Sequence, residues 1–100
     1  MERPTMLTQA ELDEAVRQLP GWMYLAGKLH REYQFADFVH AFGFMATAAM
    51  AIEAMNHHPE WSNVYGRVTV DLSTHDAGGI TELDVELASK LEKIARKLLG

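Results

Sequence analysis

The chain has 100 residues, enough for one domain whose core buries about two-thirds of the unfolded surface without covalent staples. Its 48% apolar and 23% charged residues are ordinary for a soluble globular protein, and the absence of cysteine excludes disulfide scaffolds, thiol catalysis, thiolate zinc sites and iron–sulfur clusters. Nine basic and fourteen acidic residues give a net charge of −5, which argues against a surface that tracks nucleic-acid phosphates.

Residues 1–7 read as a loose tail, and residues 8–100 as a single domain. The first eight residues include Glu2, Arg3 and Pro4 and hold no apolar run, so neither a signal peptide nor a membrane anchor is expected there. Thr8-Gln9-Ala10-Glu11 is a capping box, and Leu12, Val16 and Leu19 form the stripe of a short amphipathic helix. Pro20-Gly21 stops it. Trp22 to Leu25 predicts a short strand and Ala26-Gly27-Lys28 a turn. Leu29 to Phe35 alternates, with Leu29, Arg31, Tyr33 and Phe35 on one face, so the two segments predict a β-hairpin.

Asp37 can cap a longer helix running to about His57. Phe38, Phe42, Met45, Ala49 and Ile52 share one face, and Phe44, Ala48 and Met55 widen it. That breadth fits a helix covered by a sheet on one side and by another subunit on the other; a deep core within one chain is the rival. The most apolar stretch, residues 41–52, is interrupted by Gly43 and Thr47 and is shorter than a bilayer span, so a cytoplasmic location is expected. Pro59 disfavours helical geometry at His58 and ends the helix. Asn63 to Tyr65 predicts a strand start, Gly66 a break, and Arg67 to Ser73 alternates with Val68, Val70 and Leu72 inward. Thr81-Glu82-Leu83-Asp84 resembles a second cap, before a helix lined by Leu83, Leu87, Leu91, Ile94 and Leu98. The order α-β-β-α-β-β-α predicts an α+β fold: a four-stranded antiparallel sheet with three helices packed on one face.

Five histidines carry the candidate chemistry. Glu53 and His57 lie one helical turn apart, either as a surface pair or as a carboxylate orienting an imidazole. His57-His58-Pro59 sits where the helix ends, and His75 follows a strand end. Trp22, Trp61 and Tyr65 offer flat walls for a planar ring, although Trp22 equally suits the core. Asp84 serves as a helix cap or in a site. His30 and His40 have no carboxylate at a suggestive spacing and are expected on the surface. Glu53, His57 and His75 allow a metal site, but adjacent helical histidines diverge by about 100° and cannot easily share an ion. Glycine-rich phosphate loops are absent, so metal-free proton transfer by imidazoles is the remaining chemistry.

The run from Glu53 to Tyr65, with Leu72-Ser73-Thr74-His75-Asp76 and Asp84, is similar to the pterin-4a-carbinolamine dehydratase family. The shared pattern is an acidic residue, three positions, His-His-Pro, an aromatic six residues after the proline, a third histidine ten further on, and a later Asp. Pro20-Gly21-Trp22, Asp37-Phe38 and residues 41–45 also match, and the likeness runs from about residue 8 to 98. It implies a hydro-lyase that converts a 4a-hydroxytetrahydropterin to quinonoid dihydropterin and water, recycling the pterin of an aromatic amino acid hydroxylase.

The same resemblance implies His57 and His75 as the acid/base pair, Glu53 orienting His57, His58 holding the pterin, Asp84 supporting the site and Trp22 walling the ring. Pro59 and Trp61 join the substrate-binding set. Imidazoles, with an ordinary pKa of about 6.5, suit both proton transfers. No metal or organic cofactor is implied, because the pterin is the substrate. A homodimer or dimer of dimers is implied, with no nucleic-acid or membrane partner. Animal members also act as a dimerisation cofactor of a homeodomain transcription factor, which leaves a non-catalytic binding module as the alternative.

Overall fold

A computed structural model describes residues 4–99. The capping box at Thr8 and Glu11 starts α1 (Gln9–Arg17), which buries Leu12. β1 (Met23–Leu25) and β2 (Lys28–Gln34) form a hairpin around Ala26-Gly27, both at positive φ, as tight two-residue hairpin loops require. Asp37 caps α2 (Phe38–Met55). β3 (Glu60–Val64) and β4 (Arg67–Leu72) form a second hairpin around Tyr65-Gly66. A 3-10 turn (His75–Ala77) leads to α3 (Glu82–Leu98). The strands order β1-β2-β4-β3, every pair antiparallel. The α+β order and antiparallel sheet expected from the sequence are those found.

Strand alternation assigns the faces. Val68, Val70 and Leu72 of β4 and Leu29 and Tyr33 of β2 are fully buried, and α2 and α3 pack on that face. Tyr33, Phe35 and Phe44 cluster there with ring centroids 5.1 to 5.8 Å apart. Each such side chain contributes about 1.5–3 kcal/mol by leaving water. From α3, Leu87, Ala88, Leu91 and Ala95 complete the core.

Three expectations are corrected. First, α2 turns Ala41, Phe44, Ala48 and Ile52 to the core and leaves Phe38, Val39, Phe42 and Met50 exposed. The helix is apolar nearly all round, so periodicity alone does not select the buried face. Its 18 residues, of mean hydropathy 1.4, are also long and apolar enough to cross a membrane. Second, α2 ends at Met55 because Asn56 takes the left-handed conformation, φ 50°, that asparagine tolerates at helix ends. β3 then starts at Glu60, ahead of the expected Asn63. Third, Leu7 is tied down: its amide donates to the Ile80 carbonyl at 2.9 Å and its side chain packs on the core. Within the expected 1–7 tail, residues 1–3 lie outside the described residues, as does Gly100 at the far end.

Candidate active site

The end of α2, the exit of β4 and the first turn of α3 meet at Asp84. The reason is local. Thr81 starts α3, and Asp84, three residues on, folds its carboxylate back so that Oδ2 accepts the Thr81 amide at 2.9 Å. The same oxygen accepts the Thr74 hydroxyl at 2.8 Å from the end of β4. The other oxygen, Oδ1, lies 2.6 Å from His57 Nε2. Asp84 has no exposure to solvent, and the His57 side chain is 12% exposed.

Hydrogen-bond directions follow from this set. An ionised Asp84 only accepts, so Thr74 and His57 must both donate to it. Thr74 Oγ1 lies 2.6 Å from Thr81 Oγ1, and since Thr74 has spent its proton on Asp84, Thr81 donates to Thr74. The Leu83 amide donates to Thr81 Oγ1 at 3.2 Å. In its neutral form His57 therefore carries its proton on Nε2, which leaves Nδ1 as the acceptor. Such an imidazole can take a proton at Nδ1 while the carboxylate stabilises the resulting cation.

The other expected residues are distributed around this centre. His75 opens the 3-10 turn one residue beyond Thr74 and is exposed. His58 is exposed too, with Nε2 at 3.2 Å from Glu53 Oε1. The expected pairing of Glu53 with His57 is thus corrected. Asn56 ends the helix before His57, so the one-turn spacing no longer brings the two together, and Glu53 meets His58 instead. The predicted divergence of His57 and His58 does occur, through two different carboxylates rather than helical rotation. Pro59 and Trp61 are half-buried, and Trp61 packs against the core from β3.

Trp22 is a core residue, 3% exposed, not an open wall. Its indole N–H donates to Glu92 Oε1 at 3.0 Å, and Tyr33 Oη donates to the same atom at 2.7 Å. Burial, then the Glu92 carboxylate, pushes the Tyr33 phenol well above its ordinary range. Arg31 lies over the Tyr33 ring at 4.2 Å. Sequence reading missed this cluster, because a lone Glu on the core face of a helix looks like any charged position until its partners are known.

It also missed the carboxylates of His30 and His40. His30 Nδ1 is 2.8 Å from Asp71 Oδ1, its neighbour across β2 and β4, a pairing that only strand register reveals. His40 Nδ1 is 2.7 Å from the cap residue Asp37. Thr74 was visible only as part of the Ser-Thr-His run. A cleft of about 380 Å³ between α1 and the start of α3, lined by Leu7, Glu11, Val85 and Glu86 among others, contains none of the histidines. Among the described residues no three His, Asp or Glu side chains are grouped to hold a metal ion.

An α+β layer domain that holds an imidazole on a buried carboxylate, with a second histidine one residue beyond that carboxylate's hydroxyl donor, has the makings of an acid–base site. The comparisons give it a family. The model for pterin 4 alpha carbinolamine dehydratase matches residues 5–94, and the chain belongs to that family. A Solibacter usitatus protein assigned by name to this dehydratase is 60% identical over 91 residues, 91% of this chain and 96% of its own length. One from Opitutus terrae is 53% identical over 93 residues, 92% of this chain and 96% of its own. A crystal structure described as a transcriptional coactivator/pterin dehydratase from Brucella melitensis superposes with a TM-score of 0.86 at 49% identity, covering 89% of this chain and 97% of that one.

Proposed function

We propose that this protein is a lyase that dehydrates 4a-hydroxytetrahydropterin to quinonoid dihydropterin by histidine acid–base catalysis, in the recycling of tetrahydropterin behind an aromatic amino acid hydroxylase. The observation that carries the reading is the 2.6 Å contact between His57 and Asp84, inside the segment matched to the dehydratase family. The reaction breaks the C4a–O bond and forms a C=N bond to the adjacent ring nitrogen. The leaving hydroxyl takes up a proton and departs as water; the ring nitrogen gives a proton up.

His57 suits the base, since its bare Nδ1 can accept the nitrogen proton while Asp84 stabilises the imidazolium. His75 suits the acid, being exposed and free to exchange protons with solvent. His58, held by Glu53 at the rim, with Pro59 and Trp61 beside it, suits pterin binding. No metal or organic cofactor enters these steps. The test is turnover of carbinolamine freshly generated by a hydroxylase, with and without exhaustive chelation. Acceleration over the spontaneous reaction, unchanged by chelation, is expected. A rate equal to the spontaneous one overturns the reading, and a rate lost on chelation and restored by one divalent ion overturns its metal-free form.

A second role has its own observation. The Brucella structure is described as a transcriptional coactivator as well as a dehydratase, and α2 here exposes Phe38, Val39, Phe42 and Met50 along one side. That face suits self-association or a partner helix, and neither use draws on the histidines.

A further inference from the structure

The hydroxyls of Thr74 and Thr81 contact no surface from which a ligand approaches, yet they form an ordered chain ending on the carboxylate that holds His57. Thr81 is fully buried and Thr74 is 5% exposed. Each atom has one available role. The Leu83 amide donates to Thr81 Oγ1, Thr81 donates to Thr74 Oγ1, and Thr74 donates to Asp84 Oδ2. With the Thr81 amide, this gives Oδ2 two donors on one side and presents Oδ1 to His57 on the other.

We infer that Thr74, oriented by Thr81, is a positioning residue that fixes which nitrogen of His57 carries the proton. Three donors hold the Asp84 carboxylate: the Thr81 amide, the Thr74 hydroxyl and His57 Nε2. A carboxylate held only by the Thr81 amide is free to turn about its Cβ–Cγ bond. A turned Asp84 no longer demands a donor from Nε2. His57 then samples both neutral tautomers, and in the wrong one Nδ1 carries a proton and cannot accept another. The Thr74 hydroxyl removes that freedom, because a donor from β4 and a donor from α3 together define the carboxylate plane.

Fold-level consequences agree with this role. Thr74 is paired to Gly79 across the 3-10 turn, its amide donating to the Gly79 carbonyl at 2.8 Å. The turn that displays His75 and the hydroxyl that orients His57's partner are therefore anchored by the same residue. A threonine at this position couples the geometry of the two histidines.

The inference rests on the acid–base reading of His57, and its test separates the two. Nitrogen-15 histidine spectra of the unliganded protein report the tautomer directly, without substrate or turnover. In the wild-type protein neutral His57 is expected as a single Nε2–H form. Thr74→Val keeps the shape and removes the hydroxyl; a mixture of tautomers is expected. Its kcat should fall by about 10- to 100-fold, the loss of one hydrogen bond to a charged group, with KM within about twofold. Thr74→Ser should restore both the spectrum and kcat. A Thr74→Val protein that is folded and keeps a single Nε2–H tautomer overturns the inference. So does a Thr74→Ser protein no better than the valine variant. Should Thr74→Val fail to fold, the Thr74→Ser and Thr81→Ser spectra decide: each is expected to match wild type, and a mixed tautomer in both refutes the hydroxyl chain. If the wild-type protein shows the single tautomer but no turnover, the functional reading falls while the positioning role stands.

Discussion

His57 Nε2 and Asp84 Oδ1 lie 2.6 Å apart, although 27 residues and the whole β3–β4 hairpin separate them in the chain. One carboxylate thereby serves as the N-terminal cap of α3 and as the partner of an imidazole. Folding and the site share a residue, so the two cannot be perturbed independently at Asp84. For Asp84→Asn the amide group can no longer accept from every direction, and the His57 proton loses its fixed acceptor. The expected result is a fall in kcat of about 100-fold or more, from the loss of one positioned proton transfer. The accompanying loss of stability should be modest, about 0.5–2 kcal/mol, as for a helix cap. Steady-state kinetics and urea unfolding on the same sample check both numbers.

How much of this was legible beforehand depends on the kind of contact. The capping boxes at Thr8 and Thr81 are local, and the alternation of Val68, Val70 and Leu72 is periodic; both were readable. The face of α2 was not, because an all-round apolar helix has no preferred side until the sheet is placed. The end of α2 is set by Asn56, which takes positive φ, and not by Pro59, and for the same reason Glu53 pairs with His58 rather than His57. The family motif named His57, His75 and Asp84 but joined His57 to Glu53, whereas Asp84 is the carboxylate that His57 meets. Partners such as His30 with Asp71, or Trp22 with Glu92, depend on strand register and tertiary packing, which no spacing in the chain encodes.

The exposed side of α2 predicts self-association. Phe38 and Phe42 stack with centroids 5.7 Å apart, and both are about half exposed at 51% and 55%. Sedimentation should show at least a dimer at micromolar concentration. Phe42→Glu, which leaves the core untouched, should shift the protein toward the 11.2 kDa monomer. A wild-type monomer under these conditions contradicts the expectation.

Gly21 is a backbone position that a side chain cannot share. Its φ is +90°, and an added Cβ would lie 2.6 Å from the Arg31 guanidinium carbon. Arg31 has little room to retreat, since it covers the Tyr33 ring and lies 3.6 Å from the buried Glu92. Gly21→Ala should cost about 1–3 kcal/mol in urea unfolding. Gly27→Ala, also at positive φ but with open space around it, should cost less.

Asp37 gives the fold an acid-sensitive cap. The His40 backbone N–H, donating to Oδ1 at 2.8 Å, and then the His40 side chain hold its carboxyl below the ordinary aspartate range. A lowered folded-state pKa means that the stabilisation is complete above the ordinary carboxylate range. It is lost as pH falls through the lower, folded-state value. The melting-temperature gap between wild type and Asp37→Ala should therefore be widest near neutral pH and narrow steadily below about pH 4. A gap that widens on acidification contradicts the assignment.

The central claim is that His57 and His75 carry the proton transfers and His58 does not. Single-turnover and steady-state dehydration by His57→Ala, His75→Ala, His58→Ala and the His57→Ala/His75→Ala double variant test it most directly. Each of the first two should lose about 10²–10⁴-fold in kcat with a smaller change in KM, and His58→Ala should chiefly raise KM. The double variant, shown to be folded by its circular dichroism, should fall to the spontaneous rate of dehydration. A double variant that still dehydrates the carbinolamine well above that rate, beside a His58→Ala protein that does not, would contradict the account.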